Sequence, residues 1–206
     1  MLDGYARALI DPPLNRAGAA LAGRGWQADH VTLLGLGLGL AAAALIWAGW
    51  PGLALVLLLA SRLADGLDGA VARATRKTDF GGFLDIVADF AFYAAIPLAF
   101  IWADTAANAA AGGFLLASFY INGTTFLGYA VLAERARMET ASRGAKTLYF
   151  TGGLLEGTET IAFFALLCLW PAAFAPLAWA FGALCLITAM SRVLLARQTF
   201  PHSEET

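Results

Sequence analysis

Between residues 65 and 89 the chain reads DGLDGAVAR, then ATRKTDF, then GGFLDIVAD. Four carboxylates, Asp65, Asp68, Asp85 and Asp89, sit between two apolar stretches, residues 51–60 on one side and residues 90–103 on the other. At 3.6 residues per turn, Asp65, Asp68, Gly69 and Ala72 share one stripe of a helix, and Gly81, Asp85 and Asp89 share a stripe of the next. The seven residues between, 74–80, read as a turn, so the two helices are expected to be antiparallel neighbours with their acidic stripes facing each other. Gly66, Gly69 and Ala72 leave room there for a ligand to approach the backbone; glycines that merely let helices pack are the competing reading.

Moving outward, these acidic half-helices belong to a chain built for a membrane. Of the 206 residues, 60% are hydrophobic and only 14% charged, where a soluble domain has about a quarter charged. Much of the surface must therefore meet something other than water. Six spans follow from runs of about 20 mostly apolar residues: 31–50, 51–73 with a polar second half, 82–103 with a polar first half, 106–133, 160–170 preceded by Glu156 and Glu159, and 176–195. The fold class is an all-α integral membrane bundle of six transmembrane helices, with residues 1–30 as an amphipathic interfacial arm, 31–198 as the bundle and 199–206 as a polar tail. The first long apolar run begins only at Val31, too late for a signal peptide. In the arm, Arg7, Arg16 and Arg24 alternate with Leu2, Tyr5, Leu9, Ile10 and Leu14, and Pro12-Pro13 is expected to divide it into one or two short helices.

All 13 Lys and Arg residues fall at one end of this layout. The three turns at the other end carry none, and Trp47, Trp50, Trp102 and Trp170 cluster there. Positive charge stays on the cytoplasmic side, and tryptophans gather at membrane interfaces. Both termini and the acidic cluster are thus expected to face the cytoplasm. Cys168 and Cys185 lie in apolar runs with no CxxC pair and read as small core residues.

A carboxylate at mid-membrane costs roughly 2.5–3.5 kcal/mol, so four unpaired ones would cost on the order of 10 kcal/mol. Protons or cations must offset that. Arg62 and Arg73 are the only nearby protein cations, too few for four aspartates. An all-oxygen donor set suits Mg²⁺, Mn²⁺ or Ca²⁺ and not zinc, and Mg²⁺ commonly couples carboxylates to substrate phosphates.

The string D-x-x-D-G-x-x-A-R, seven residues, G-x-x-x-D-x-x-x-D closely resembles the signature of the CDP-alcohol phosphotransferase (phosphatidyltransferase) family. It departs from it in one respect: the family's middle spacer is usually eight residues. Asp29-His30-Val31-Thr32 resembles a degenerate form of the family's P-N-x-L-T segment, and the six-helix layout agrees with the family too. The resemblance implies a bacterial inner-membrane enzyme of phospholipid biosynthesis. It would move a substituted phosphate from a CDP-linked lipid such as CDP-diacylglycerol to an alcohol, releasing CMP, with two Mg²⁺ or Mn²⁺ ions per site and as a homodimer. It implies Asp65, Asp68, Asp85 and Asp89 as metal ligands, with Asp89 as ligand or catalytic base. Thr32, Asp65, Gly69, Ala72, Arg73 and Gly81 would line the nucleotide site. For the acceptor, a small alcohol or a phosphorylated alcohol, Arg135, Arg143, Lys146 and Glu156 are the candidates. The basic ones are equally explained by orientation, and Glu156 and Glu159 by a helix dipole.

Among the remaining polar residues, His30 is placed near the nucleotide and Asp79 in a loop or at an N-cap. Asn122, Thr124 and Thr125 are read as interhelical hydrogen bonders. Two rival readings exist. An intramembrane prenyltransferase would carry two Asp-rich motifs far apart in sequence. An ion transporter would be expected to repeat its broken helices, and the motif has no second copy. Nothing points to nucleic acid.

Overall fold

The computed structural model describes residues 3–136 and 157–200, with side chains from residue 11 onward. Among the described residues every regular element is helical. The seven α-helices are α1 (Asp3–Ala22), α2 (Ala28–Trp47), α3 (Pro51–Ala74), α4 (Asp79–Ala103), α5 (Thr105–Arg135), α6 (Gly157–Leu169) and α7 (Phe174–Thr199), and a 3₁₀ turn at Pro171–Ala173 leads into α7.

Among the described residues four stretches are long and apolar enough to cross a membrane: α2, α4, α5 and Pro171–Thr199. The other two expected spans are helices as well. α3 has 24 residues, but Arg62, Asp65 and Asp68 interrupt its apolar run, and α6 is described over 13 residues. At 1.5 Å per residue the 31 residues of α5 reach about 46 Å, beyond the roughly 30 Å of a hydrocarbon core.

Tight links join α2 to α3 and α4 to α5. Gly49, at φ 83°, makes the α2–α3 turn in a conformation that favours glycine. A single residue, Asp104, separates α4 from α5, and its carboxylate caps α5 by accepting from the Ala107 N–H at 3.0 Å. Trp47 and Trp102 stand with ring centroids 5.8 Å apart, so the ends of α2 and α4 lie side by side.

Two expectations change. α1 is one continuous helix through Pro12 and Pro13, although neither proline can donate a backbone hydrogen bond. Its hold on α3 compensates: a Cβ on Gly18 would sit 2.6 Å from Ala70 Cβ, and Leu14 lies against Gly66. Gly66 thus faces α1 rather than a ligand, and for that residue the packing reading holds.

The second change concerns α3 and α4. They are consecutive and antiparallel, yet they hardly touch along their backbones; α2 packs along both. Gly35 and Gly39 make this possible. A Cβ at Gly35 would meet Ala64 Cβ at 3.2 Å, and one at Gly39 would meet Phe92 Cδ2 at 2.6 Å, so α2 sinks between its neighbours. Ser61 Oγ donates to the Gly35 carbonyl at 2.7 Å across the α2–α3 seam. The main core fills the tryptophan end with Ile46, Leu58, Phe92, Ile96, Phe100, Leu115, Phe164 and Phe174, while the two cysteines are buried as small apolar residues.

Candidate metal and nucleotide site

At the other end α2, α3 and the start of α4 enclose a cleft of about 250 Å³. Its floor is the start of α2 (Ala28, Asp29, Thr32). One wall is α3 (Asp68, Gly69, Ala72, Arg73), and the other is the α3–α4 link with the start of α4 (Thr78, Gly81, Asp85). Thr78 shapes that entry: its Oγ1 accepts from the Gly81 N–H at 3.0 Å, which makes Thr78 the N-cap of α4 and leaves Asp79 in the first turn. A Cβ at Gly81 would lie 2.9 Å from Thr78 Oγ1 and 3.2 Å from Asp29 Oδ1, so glycine lets the α4 start approach α2 without displacing either side chain. The seven-residue spacer resolves into the last residue of α3, a four-residue link and the first two residues of α4.

Asp65, Asp68 and Asp85 each offer a carboxylate oxygen, and these atoms all lie within 4.8 Å of one another. Asp68 is buried and the other two are more open. Three oxygen donors from two helices, with no His or Cys in the group, are the ligand chemistry of a hard divalent cation. The residues fit the implied Mg²⁺ or Mn²⁺. Asp68 is oriented from α2, because Thr32 Oγ1 donates to its Oδ2 at 2.6 Å. The same hydroxyl has the Ala28 carbonyl as an alternative acceptor at 3.1 Å. Thr32, read from sequence as a nucleotide contact, both lines the cleft and steers a carboxylate.

Asp89 stands apart from the three. Arg62 Nη1 donates to its Oδ1 at 2.8 Å and lies 3.4 Å from Asp65 Oδ1. Asp65 therefore belongs to both groups.

The residues expected to bind nucleotide largely converge. Thr32, Gly69, Ala72, Arg73 and Gly81 line the cleft with Asp68 and Asp85. Sequence reading missed Asp29, Arg76, Lys77 and Thr78 on the same rim. It also missed Asn15, whose Oδ1 accepts from Arg73 Nε at 3.1 Å and Nη2 at 2.8 Å. Only the side-chain chemistry of Asn15 could have signalled that contact, since it links residues 58 apart. His30 is exposed and outside the cleft lining.

On the acceptor side, Arg135 is exposed at the end of α5, and Arg143, Lys146 and Glu156 lie outside the described residues. Asn122 and Thr125 do bond across helices: Arg192 Nη1 on α7 donates to Asn122 Oδ1 at 2.9 Å and to Thr125 Oγ1 at 3.0 Å. Thr124 does not; its hydroxyl donates to the Tyr120 carbonyl of its own helix at 2.8 Å.

Comparison with known proteins agrees with this geometry. The sequence model of the CDP-alcohol phosphatidyltransferase family matches residues 26–195. The chain is 47% identical to the inner membrane protein YnjF of Escherichia coli over 193 residues, 94% of each chain. It is 32% identical to the archaetidylinositol phosphate synthase of Pyrococcus horikoshii over 157 residues, 75% of this chain and 76% of the other. Among solved structures it is similar to the phosphatidylinositol phosphate synthase of Mycobacterium tuberculosis with CDP-DAG bound, with a TM-score of 0.71 at 22% identity, covering 89% of this chain and 93% of that one. The same enzyme in complex with manganese and citrate gives a TM-score of 0.67 at 23% identity, covering 94% and 92%. At such identities the structural likeness speaks for the fold.

Proposed function

Because the chain belongs to the CDP-alcohol phosphatidyltransferase family, we propose that it transfers a phosphatidyl group from a CDP-linked lipid, such as CDP-diacylglycerol, to an alcohol and releases CMP. The observation that carries this reading is the meeting of Asp65, Asp68 and Asp85 in a cleft rimmed by Arg73, Arg76 and Lys77. Membership in the family sets aside the prenyltransferase and the transporter.

The residues divide the work by position. Arg73, Arg76 and Lys77 attract the donor's diphosphate. Gly69 and Ala72 leave the width that a nucleotide needs, and Gly81 brings the start of α4 to the cleft rim. Asp65, Asp68 and Asp85 hold a divalent cation, with Asp89 as a further ligand for a second. Bound there, the cations neutralise charge on the diphosphate and on the departing CMP. The acceptor oxygen forms a bond to the lipid-side phosphorus. The bond from that phosphorus to the CMP oxygen breaks, and its electron pair leaves with CMP. Asp89, one turn beyond Asp85, takes the proton from the attacking hydroxyl.

The reading includes an orientation. Six helices cross the inner membrane with both termini in the cytoplasm, and α1 lies at that interface. The Lys and Arg residues at the cleft end and the tryptophans at the other support it. The donor's acyl chains then stay in the bilayer while its headgroup enters the cleft.

The test is CMP release by the purified protein with CDP-diacylglycerol and Mg²⁺ or Mn²⁺, run in parallel with serine, glycerol phosphate, inositol phosphate and free inositol. Release with one acceptor and its loss in Asp85→Asn is the expected outcome. No release with any acceptor, or equal release by the variant, would sink the proposal.

A further inference from the structure

One charged group at the site is left unused by the proposed reaction. Arg62 lies on α3, three residues before the first motif aspartate, and its side chain is only 9% exposed. Every contact pins the guanidinium in place. Nη1 bridges Asp89 Oδ1 at 2.8 Å and Asp65 Oδ1 at 3.4 Å. Nη2 donates to Ser61 Oγ at 3.2 Å, and that hydroxyl is itself fixed by its bond to the Gly35 carbonyl. The flat face rests on the Phe92 ring, with Cζ 3.9 Å from the centroid, and Phe92 is fully buried against Gly39. Nε is buried with no hydrogen-bond partner among the described residues. Leaving a polar atom unsatisfied costs free energy, so the two carboxylates must more than repay it.

Guanidinium and divalent cation compete for the same oxygens. Asp65 Oδ1 and Asp89 Oδ1 share a single donor atom. The four aspartates and Arg62 sum to −3. One divalent ion brings that to −1, and a second brings it to +1 in a setting of low polarity, where like charges repel strongly. An ion in the Asp65–Asp68–Asp85 group shares only Asp65 with Arg62 and has Asp68 and Asp85 besides. An ion between Asp65 and Asp89 shares both with it.

We infer that Arg62 is a built-in cation occupying the second metal position between Asp65 and Asp89, so that the substrate-free protein holds one divalent ion tightly and admits a second only against Arg62. The inference rests on the proposed metal reading and assigns Arg62 as a positioning residue for Asp89.

The measurement is Mn²⁺ binding to the full chain in detergent, with stoichiometry and affinity read by electron paramagnetic resonance and calorimetry. Wild type is expected to bind one ion tightly and a second at least about tenfold more weakly. Arg62→Gln should tighten the second ion by about tenfold or more, and Arg62→Lys, which keeps the charge, should leave it weak. Two equally tight sites in wild type, or no change in Arg62→Gln, overturn the inference. If Arg62→Gln does not fold, wild type and Arg62→Lys still decide, because two tight sites in either overturn it. Asp68→Asn separates this failure from failure of the metal reading: if wild type binds Mn²⁺ no better than Asp68→Asn, the Asp65–Asp68–Asp85 metal reading is what fails.

Discussion

The two ends of the bundle differ in the chemistry their helices present to one another. At the tryptophan end the helices interlock. Phe163 and Phe181 stack at 4.0 Å, Phe100 and Phe174 at 5.1 Å, and a Cβ on Gly112 would strike the Ile101 side chain. At the acidic end polar and charged side chains of α2, α3 and α4 line a cleft, and α3 meets α4 through side chains such as Arg62 on Asp89. Lipid tails are as apolar as the helices, so a membrane bundle gains most from close contact and interhelical hydrogen bonds. Each end has a cleft, but of the two only the acidic one is lined by cationic side chains together with Asp68 and Asp85. Stability and activity should therefore separate along the membrane normal.

The largest expected effect is at the acidic end. Asp85→Asn should lower CMP release by on the order of 10²–10³-fold or more. It should leave the thermal unfolding midpoint unchanged or raised, because it removes one of several like charges. A midpoint that falls in step with activity would mean that the carboxylates are structural and the two ends alike.

The mirror experiment is Gly112→Val. Overpacking a fitted contact costs about 1–3 kcal/mol, which should lower the unfolding midpoint. Activity per folded molecule should not change, since Gly112 lies far from the cleft lining. An equal loss of turnover by folded protein would show that the ends are coupled.

These contrasts also mark what was legible in the sequence. The aspartate stripes were, because helical periodicity is local and the motif spacing keeps each carboxylate on its face. Four spans were, because hydropathy is additive over a window. The contacts between helices were not. Arg62 and Asp89 are 27 residues apart, and Thr32 and Asp68 are 36 apart. No periodicity relates such positions. The role of α2 as floor of the cleft depends on Gly35 and Gly39 letting it sink between its neighbours, a matter of backbone approach. The continuity of α1 through Pro12-Pro13 is a tertiary override of a local rule: the α1–α3 contact at Gly18 supplies what the missing hydrogen bonds take away.

Thr32→Val tests whether that floor matters to chemistry. It keeps the side-chain shape and removes the hydroxyl on Asp68. Groups that orient a metal ligand are worth about 10–100-fold in metal affinity or activity. The apparent affinity for Mn²⁺ should fall within that range, with saturating metal restoring much of the rate. A rate that stays low at saturating metal would place Thr32 on the substrate instead.

The smallest effect is expected at the outer edge of the cleft, where α1 meets α3. Asn15 Oδ1 accepts two hydrogen bonds from Arg73, both exposed to solvent, and exposed contacts of this kind are worth about 1 kcal/mol at most. Asn15→Ala should therefore raise KM for the CDP-linked donor by about fivefold or less and leave kcat near wild type. Arg73 keeps its charge and loses only its aim. Asn15→Asp would keep the acceptor oxygens and add a competing anion beside the diphosphate. If aim is what Asn15 supplies, the aspartate variant should raise KM more than alanine does, and the excess should shrink with added salt as exposed charges are screened. If both variants matched wild type, the α1 contact would serve only to hold that helix on α3, and the acidic end would begin at Arg73.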